Sequence, residues 1–418
     1  MAPRPIPPIR HRIDARARVP ASKSLANREL VLSALAKGRS EVVLGELDPG
    51  DDVRAMQDAL AALGYAVAAR GGTVRVQGGG GPDLQATVDA REAGTVARFV
   101  MALAATRSAP TVIDGSERMR ERPVAALARS LRALGASVDG DALPLTVTGP
   151  LRGGSVEVPG HESSQFASAL LLAGAHASQG IELRIPGSVV SAPFIDMTIA
   201  ALERRGVRVD RSTPRAYRIA PQTVTARRVV VPGDATAASY PAAAAAILGG
   251  SVRIENVDLG RGGQGDARFF HVLREMGCGV STLLGGVTVR RDGPLYGVRE
   301  NVRDISDTFP TLAVVAACAQ GESEILGIGH TRRQESDRIA AVASGLRALG
   351  GDVVEHADGL LIRPVPLRGG VVDAAGDHRI AMAFATLGLM VPGVAIEGAE
   401  SVAKTFPGFF DMLPGLGH

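Results

Sequence analysis

The chain has 418 residues, of which 45% are hydrophobic, 21% charged and 3% aromatic, and its formal net charge is +3. This length allows two or more domains around a substantial core. The scarcity of aromatic rings argues against nucleic-acid binding by base stacking. No apolar run of about 18 residues suggests a membrane span, and residues 1–20 lack the apolar stretch of a secretory signal. We therefore expect a cytoplasmic monomer that binds small molecules.

The first predicted helix follows "PASKSLANREL", residues 20–30. Pro20 and Ser22 are typical of a helix entry, and an apolar run follows them. Lys23 and Arg28 are unfavourable near the positive end of a helix dipole unless an anion lies there. Two interpretations stay open at this point, a solvated first turn and an anion site.

One pattern then recurs along the chain. An apolar-periodic helix ends at a glycine, and two short alternating strands follow. The glycines are Gly64, Gly135, Gly206, Gly277 and Gly350, separated by 71, 71, 71 and 73 residues. This repeat predicts a mixed α/β fold built of similar units.

A sixth copy is incomplete. Its helix is predicted in "PGFFDML", but strands after it are missing. The N-terminal segment "HRIDARARV" alternates like a strand and belongs to no copy, so we expect it to complete the sixth unit. Six units divide into two domains of three, residues 21–232 and residues 1–20 plus 233–418. The chain would pass between the two domains near residues 20 and 232, and these two crossings would form a double hinge.

The starts of the core helices share polar and small residues. They read "SKSLANR", "EAGTVAR", "HESSQFASALL", "GDATAASY", "SDTFPTLA" and "GDHRIAMAF". Helix N-termini favour anions because their N–H groups are unpaired. Capping alone accounts for Ser, Thr and Asp at such places. It does not account for Lys23, Arg28, Arg98 and Arg379.

Further cations lie between the units, in "SERMRERP", "RRQESDR" and "KTFPGFF". Each stretch alone is typical of a solvated charge run. Together with the helix starts they predict a cationic cleft for phosphate and carboxylate groups. Asp307 and Glu335 are candidates for proton transfer there, with charge balance as the alternative. Cys278 and Cys318 lie in apolar contexts and form no metal-ligand pattern, so we expect buried structural thiols.

These motifs identify a family. "SKSLANR", "AGTVARF", "ERMRERP", "SSQFASALL", "GDATAASY", "GQGD", "SDTFPTLA", "QESDR", "GDHRIAMA" and "KTFP" run in the order found in the EPSP synthase family. The chain resembles this family from residue 20 to residue 407. The resemblance implies an α/β fold of two domains, each of three βαβαββ-like units with parallel helices, an inside-out α/β barrel.

The resemblance also implies an activity. The family joins phosphoenolpyruvate to the 5-hydroxyl of shikimate 3-phosphate and releases phosphate, through a tetrahedral intermediate, in chorismate biosynthesis. No metal or organic cofactor is used. Both substrates are anions, which would explain why Lys23 and Arg28 are tolerated at a helix start.

Carried over by motif, the site residues form three sets. Shikimate 3-phosphate is expected at Lys23, Ser24, Arg28, Ser163, Ser164, Gln165, Ser191, Asp307 and Gln334. Phosphoenolpyruvate is expected at Lys23, Gly94, Arg122, Gln165, Arg338, Arg379 and Lys404. The catalytic residues would be Lys23, Asp307 and Glu335, with Asp307 at the attacking hydroxyl and Glu335 exchanging a proton with the methylene carbon.

Four positions depart from the usual family pattern. Gln334 stands where Lys is usual, Phe194 where Tyr is usual, and Glu92 and His330 where Asn is frequent. Arg332 or Arg333 would supply the charge missing at Gln334. The alternatives are a paralogue with another acceptor, either UDP-N-acetylglucosamine or a shikimate analogue, and a non-catalytic binding protein that kept the repeats.

Overall fold

The computed structural model describes residues 2–80, 83–213, 215–260, 263–283 and 285–417. Its internal contacts divide the chain into two compact units. We call residues 21–231 the N-terminal unit, and residues 1–20 with 232–418 the C-terminal unit.

The described residues form thirteen α-helices and four short 3-10 helices. The α-helices are α1 Lys23–Leu35, α2 Asp51–Ala62, α3 Gly94–Ala104, α4 Glu117–Glu121, α5 Ala125–Ala133, α6 Ser164–Gly174, α7 Pro193–Arg204, α8 Ala235–Leu248, α9 Phe269–Glu275, α10 Phe309–Ala316, α11 Arg338–Ala348, α12 His378–Gly388 and α13 Phe409–Gly415. The 3-10 helices are Gly265–Arg268, Arg303–Thr308, Gly329–Arg333 and Ala399–Lys404.

The strands are short and lie between these helices. They are β1 Arg4–Pro5, β2 Ile13–Ala17, β3 Gly38–Val43, β4 Ala66–Arg70, β5 Thr73–Gly78, β6 Ala86–Asp89, β7 Thr111–Asp114, β8 Ser137–Asp139, β9 Leu145–Thr148, β10 Gly154–Glu157, β11 Ile181–Arg184, β12 Asp210–Thr213, β13 Ala216–Ile219, β14 Arg228–Val230, β15 Gly250–Ile254, β16 Gly279–Leu283, β17 Gly286–Arg291, β18 Arg299–Asn301, β19 Ser323–Leu326, β20 Asp352–His356, β21 Gly359–Arg363, β22 Gly370–Asp373 and β23 Val394–Glu397.

The strands form six sheets, and the five four-stranded sheets share one topology. In the order β6-β7-β9-β8, the first pair is parallel and the last two strands form an antiparallel hairpin beside it. Sheets β10-β11-β13-β12 and β18-β19-β21-β20 repeat this order. A helix connects the parallel pair, as a parallel crossover requires. The predicted βαβαββ repeat is confirmed, and the five repeat glycines all have positive φ, between 81° and 99°.

Two sheets take their first strand from a distant part of the chain. β14 pairs in parallel with β3 of the first repeat, and β2 pairs in parallel with β15 of the fourth repeat. The segment "HRIDARARV" is therefore a strand, as predicted, but its assignment to the sixth repeat was wrong. The sixth sheet receives the two residues of β1, which pair with β23. The alternation of β2 buries one face, and the sheet beside α8 offers that face an apolar surface.

One set of helices forms the interior of each unit. In the N-terminal unit α1, α3 and α6 contact one another, and all eleven residues of α3 are buried. In the C-terminal unit α8, α10 and α12 do the same, and thirteen of the fourteen residues of α8 are buried. A helix that is apolar all round is stable only when it is surrounded by protein. The sheets contribute their alternating apolar faces to this core.

Candidate active site

In the N-terminal unit the first turns of α1, α3 and α6 meet. Asn27 donates to the Thr95 hydroxyl at 2.8 Å, and Arg98 donates to the Gln165 side-chain oxygen at 2.8 Å. Ser163 caps α6 by accepting a hydrogen bond from the Gln165 backbone N–H. The starts of three helices, with their N–H groups, are therefore gathered at one place.

Lys23 opens α1 after the capping residue Ser22, as the sequence predicts. Its Nζ lies 2.7 Å from Oδ2 of Asp52, and the two side chains are 12% and 5% exposed. Asp52 lies in the first turn of α2, where a carboxylate is stabilised by the helix dipole. Sequence reasoning missed this partner, although "GDD" after a loop signals a helix start.

Arg28 is 1% exposed and its partners among the described residues are neutral. Its Nε donates to the Thr198 hydroxyl at 2.7 Å and its Nη1 to the Ser24 carbonyl at 2.6 Å. The guanidinium also lies over the rings of Phe99 and Phe194, at 5.1 and 5.8 Å. Burial lowers the pKa of Arg28 to about 9. A nearly buried cation surrounded by neutral groups favours an anion nearby.

Gly94 lies against two guanidinium groups. A Cβ atom at this position would lie 2.5 Å from Nη1 of Arg98 and 2.8 Å from Nη2 of Arg122. Both arginines are buried, and Arg122 donates to the Glu92 carbonyl at 3.1 Å. The absence of a side chain at Gly94 is thus what lets two cations approach the start of α3.

The "SERMRERP" stretch separates into two classes of arginine. Arg118 pairs with Glu121, and Arg120 pairs with Asp114, and the four side chains are 31% to 60% exposed. Arg122 is 9% exposed. Of the three arginines of this stretch, only Arg122 is therefore buried, beside Gly94 and Arg98.

The predicted phosphate-binding serines occupy two places in the third repeat. Ser163 and Ser164 form the N-cap and the first residue of α6. Ser191 precedes α7 and has φ of +53°, a conformation that non-glycine residues seldom adopt. Its carbonyl accepts the Phe194 backbone N–H at 3.1 Å. Backbone strain of this kind is often found at ligand-binding sites.

Arg338 is the centre of a second group, in the C-terminal unit. It is 1% exposed, and its donors reach Asp377 at 2.7 Å, Asp307 at 2.9 Å and Glu335 at 2.8 Å. It also donates to the side-chain oxygen of Gln334. One guanidinium thus holds together three carboxylates from different segments.

Arg379 completes this group from the first turn of α12. Its Nη2 donates to Asp307 at 2.6 Å, so Asp307 bridges the two arginines. Asp377 caps α12 and is fully buried. Lys404 is also buried and ends the 3-10 helix Ala399–Lys404, which packs against α12. Asp307 lies in the 3-10 helix Arg303–Thr308 that precedes α10, and not in the α-helix itself.

Several buried polar atoms of this unit have no hydrogen-bond partner among the described residues. They include Oδ1 of Asp266, the hydroxyl of Tyr240 and Nε of Arg379. Burial, and then repulsion by Asp307, raises the pKa of Asp266 to about 7. Buried groups of this kind occur where a site is built for chemistry or a ligand.

The structure also shows the surroundings of two departures from the family pattern, His330 and Gln334. His330 contacts the Ser306 hydroxyl at 2.9 Å, and burial lowers the pKa of His330 to about 4, so its ring is neutral at pH 7. Arg332 binds Asp337 and Glu355, each at 2.9 Å. Arg332 is therefore occupied by these two carboxylates, and Arg333 is the remaining predicted source of charge near Gln334. Arg333 is exposed.

The structure thus gathers the predicted residues into two groups, one in each unit. The N-terminal group contains Lys23, Ser24, Arg28, Gly94, Arg122, Ser163, Ser164, Gln165 and Ser191. The C-terminal group contains Asp307, Gln334, Glu335, Arg338, Arg379 and Lys404. Asp266 and Tyr240 were not predicted as site residues, although they belong to the motifs "GQGD" and "GDATAASY", because no chemical role was assigned to them from the sequence.

Comparison with known proteins shows the family of the chain. The family model of EPSP synthase (3-phosphoshikimate 1-carboxyvinyltransferase) matches residues 8–413. The chain belongs to the EPSP synthase family. Relatives named 3-phosphoshikimate 1-carboxyvinyltransferase include that of Methanoregula boonei, 38% identical over 97% of this chain and 98% of its own. That of Methanosphaerula palustris is 40% identical over 97% of both chains.

Two solved structures have a similar fold. EPSP synthase from Acinetobacter baumannii has a TM-score of 0.80 and 25% identity, over 98% of this chain and 97% of its own. The enolpyruvyl transferase NikO from Streptomyces tendae, at 18% identity and a TM-score of 0.76, resembles the fold over 98% of this chain and 96% of its own. The predicted fold, family and enzyme class, that of a 3-phosphoshikimate 1-carboxyvinyltransferase, are confirmed.

Two smaller findings concern the remaining expectations. No helix in the described ranges has the length and apolar character needed to span a bilayer. Both cysteines are free thiols, and Cys278 is buried. Burial raises the pKa of Cys278 to about 11, so its thiol is protonated at neutral pH.

Proposed function

We propose that the chain transfers the enolpyruvyl group of phosphoenolpyruvate to the 5-hydroxyl of shikimate 3-phosphate, using the two groups of residues described above. The observation that carries this proposal is the Arg338 cluster. Asp307 and Glu335, the two carboxylates proposed for proton transfer, share the Arg338 guanidinium at 2.9 and 2.8 Å. Proton transfer and anion binding would thereby be combined in one cluster.

The N-terminal group suits the acceptor. Ser163, Ser164 and Ser191 offer hydroxyl groups beside the start of α6, which binds a phosphate well. Lys23 and Arg28 add positive charge on α1, where Ser24 would complete the contact to the shikimate carboxylate. Gln165 would lie beneath the ring. Neutral hydrogen bonds of about 0.5–1.5 kcal/mol each then hold a phosphate without a large cation cluster.

Phosphoenolpyruvate would bind at Gly94 and at the cations Arg122, Arg338, Arg379 and Lys404. Arg338 and Arg379 now donate to carboxylates. An incoming phosphate or carboxylate would take some of these donors. Asp307 and Glu335 would then lose a cationic partner, and each would become a better base.

The reaction is an addition followed by an elimination. The 5-hydroxyl oxygen bonds to C2 of phosphoenolpyruvate as its proton passes to Asp307, and C3 receives a proton from Glu335. The tetrahedral intermediate then returns a proton from C3 to Glu335. The double bond re-forms as the bond from C2 to the phosphate oxygen breaks, and phosphate leaves with the proton that Asp307 took from the 5-hydroxyl. Lys23 would stabilise the charge between the two substrates.

Phosphate release measured with three acceptors in parallel tests the proposal. The acceptors are shikimate 3-phosphate, unphosphorylated shikimate and UDP-N-acetylglucosamine, each with phosphoenolpyruvate. Turnover with shikimate 3-phosphate is expected. Turnover with another acceptor alone would identify a paralogue, and no turnover with any acceptor would favour a binding protein.

Gly94→Ala is expected to raise the KM for phosphoenolpyruvate by about 10- to 100-fold. The new Cβ atom would force the buried Arg98 and Arg122 guanidinium groups to move by about an ångström, and displacements of this size are costly in a site. Steady-state kinetics at saturating shikimate 3-phosphate give the value. Gly293→Ala is the control, because an added Cβ there meets no atom within 4 Å. An unchanged KM would show that these arginines do not bind phosphoenolpyruvate.

Gln334→Lys is expected to lower the KM for shikimate 3-phosphate by about tenfold. A charge-assisted contact to phosphate is roughly twice as strong as a neutral one. The gain is limited because the new cation would lie beside Arg338, which now donates to Gln334.

Arg333→Gln tests whether Arg333 already supplies the positive charge that a lysine at position 334 would add. A rise in KM for that variant would show that Arg333 already supplies it.

We further propose that the two chain crossings near residues 20 and 232 form a double hinge in a cytoplasmic monomer. Asn256 holds the crossings side by side, because its side chain accepts the Val19 N–H and donates to the Val19 carbonyl while its own carbonyl accepts the Gly233 N–H at 2.6 Å. The Asp234 N–H donates to the Pro20 carbonyl at 2.8 Å. Substrate charge is expected to reduce the radius of gyration in solution scattering. An equal radius with and without both substrates would contradict the hinge.

A further inference from the structure

The C-terminal group and its surroundings contain more carboxylates than cations. The carboxylates are Asp307 and Glu335 of the group together with Asp266, Asp377 and Asp234, which caps α8, and the cations are Arg338, Arg379 and Lys404. Arg338 is already bonded to three of these carboxylates. A ligand with a phosphate and a carboxylate would add about three negative charges to these surroundings. Removal of one of the protein's own negative charges would favour such binding.

Asp266 has the least compensated charge of the five. It lies in the 3-10 helix Gly265–Arg268, which packs against the 3-10 helix of Asp307 and against α8. Its side chain is fully buried. Oδ2 accepts one hydrogen bond, from Nε2 of Gln264 at 2.9 Å. Oδ1 has no hydrogen-bond partner among the residues described, and Asp266 forms no ion pair within this part of the chain.

Gln264 fixes the Asp266 carboxylate in place. Its Oε1 accepts the N–H of Ala235 at 3.1 Å, and its Nε2 also donates to the Thr236 hydroxyl at 2.8 Å. The amide is thus anchored at the start of α8. Asp266 therefore cannot relieve its burial by turning towards solvent, and protonation is the remaining way to reduce the cost of its charge.

The charged groups that act on Asp266 have opposing effects. Asp307 and Asp234 raise its pKa, and Arg379 lowers it, after the larger effect of burial. The hydroxyl of Tyr240 lies in the same buried region and interacts with Arg379.

The neighbouring elements carry other charged side chains that point outward. Arg303 and Asp304 on the 3-10 helix of Asp307 are partly exposed. His271, Arg274 and Glu275 on α9 are exposed. None of these five is buried with Asp266, so the carboxylate responds chiefly to Asp307, Asp234 and Arg379.

We propose that Asp266 is a positioning residue that takes up a proton when phosphoenolpyruvate binds, and so releases the charge of Arg379 to the ligand. This inference rests on the proposed function. The proton comes from the solvent and bonds to Oδ1, and no other bond forms or breaks. With Asp266 neutral, Arg379 no longer has to compensate a buried carboxylate, and the ligand replaces that charge. Release of the products returns the proton.

The sign of the pH effect follows from linkage. Binding that takes up a proton weakens as the pH rises above the pKa of the free protein's group. For Asp266 this limit lies near pH 7. Above it, kcat/KM for phosphoenolpyruvate is expected to fall by up to about tenfold per pH unit.

The test compares pH profiles of kcat/KM for phosphoenolpyruvate between pH 6 and 9, at saturating shikimate 3-phosphate. Asp266→Asn, which mimics the protonated carboxyl, should lose the fall at high pH. Asp304→Asn, which removes a partly exposed carboxylate from the neighbouring 3-10 helix, should keep it. Ionisation of the substrate phosphate is common to all three proteins. An unchanged profile in Asp266→Asn would overturn the inference.

A second measurement needs only the wild-type protein. Calorimetric titration with 2-phosphoglycolate, a non-reacting anion with a phosphate and a carboxylate, is run in Tris and in Pipes at pH 7.5. The difference in heat is expected to show uptake of about half a proton or more per site. No uptake would contradict the inference even if Asp266→Asn failed to fold. Absence of phosphate release at every pH would instead contradict the proposed function.

Discussion

Glu335→Gln is expected to lower kcat by about 100- to 10,000-fold, the usual contribution of a positioned acid or base. Glutamine cannot carry the proton that the methylene carbon gains and loses. Its side-chain oxygen can still accept the hydrogen bond that Arg338 now donates to Glu335 at 2.8 Å. The cluster should therefore keep its shape, and both KM values should change much less than kcat.

Steady-state phosphate release as a function of each substrate gives kcat and KM separately. Glu355→Gln is a matched control, because Glu355 also accepts a hydrogen bond from an arginine, Arg332, at 2.9 Å. This control should retain its kcat. A kcat for Glu335→Gln close to that of the wild type would show that another group exchanges the proton.

Arg338→Ala is expected to lower the free energy of unfolding by about 3–5 kcal/mol, as is typical when one partner of a buried ion pair is removed. The arginine is 1% exposed and its partner Asp377 is fully buried. Without Arg338, Asp377 keeps hydrogen bonds from the backbone of Arg379 and from the Ser336 hydroxyl. These do not neutralise its charge, so the native state would carry an uncompensated buried carboxylate.

Urea denaturation, followed by circular dichroism, measures this effect through the transition midpoint. Arg332→Ala is the control, because Arg332 also binds two carboxylates but is 26% exposed. Exposed pairs contribute about 0–1 kcal/mol, so this variant should lose little stability. Equal losses in both variants would contradict the role assigned to burial.

Much of the fold could be predicted because it depends on local signals repeated six times. The five glycines after the helices at Gly64, Gly135, Gly206, Gly277 and Gly350 have positive φ, which the sequence pattern alone implied. The destination of β2 could not be predicted. Its alternation determines that it is a strand with one buried face, but several sheets offer a similar apolar edge. Only the packed C-terminal unit selects β15 as its partner.

In the candidate site, too, some features follow from the sequence and others only from the tertiary structure. The sequence by itself determined the family, the helix starts and the chemical types of the site residues, since these depend on residue identity and spacing along the chain. The tertiary structure decided which charges are buried together. It separated Arg122 from the exposed Arg118 and Arg120, it directed Arg332 to Asp337 and Glu355, and it placed Asp266 in the interior. Burial and ion pairing depend on distances between segments far apart in the chain, and a sequence pattern does not contain those distances.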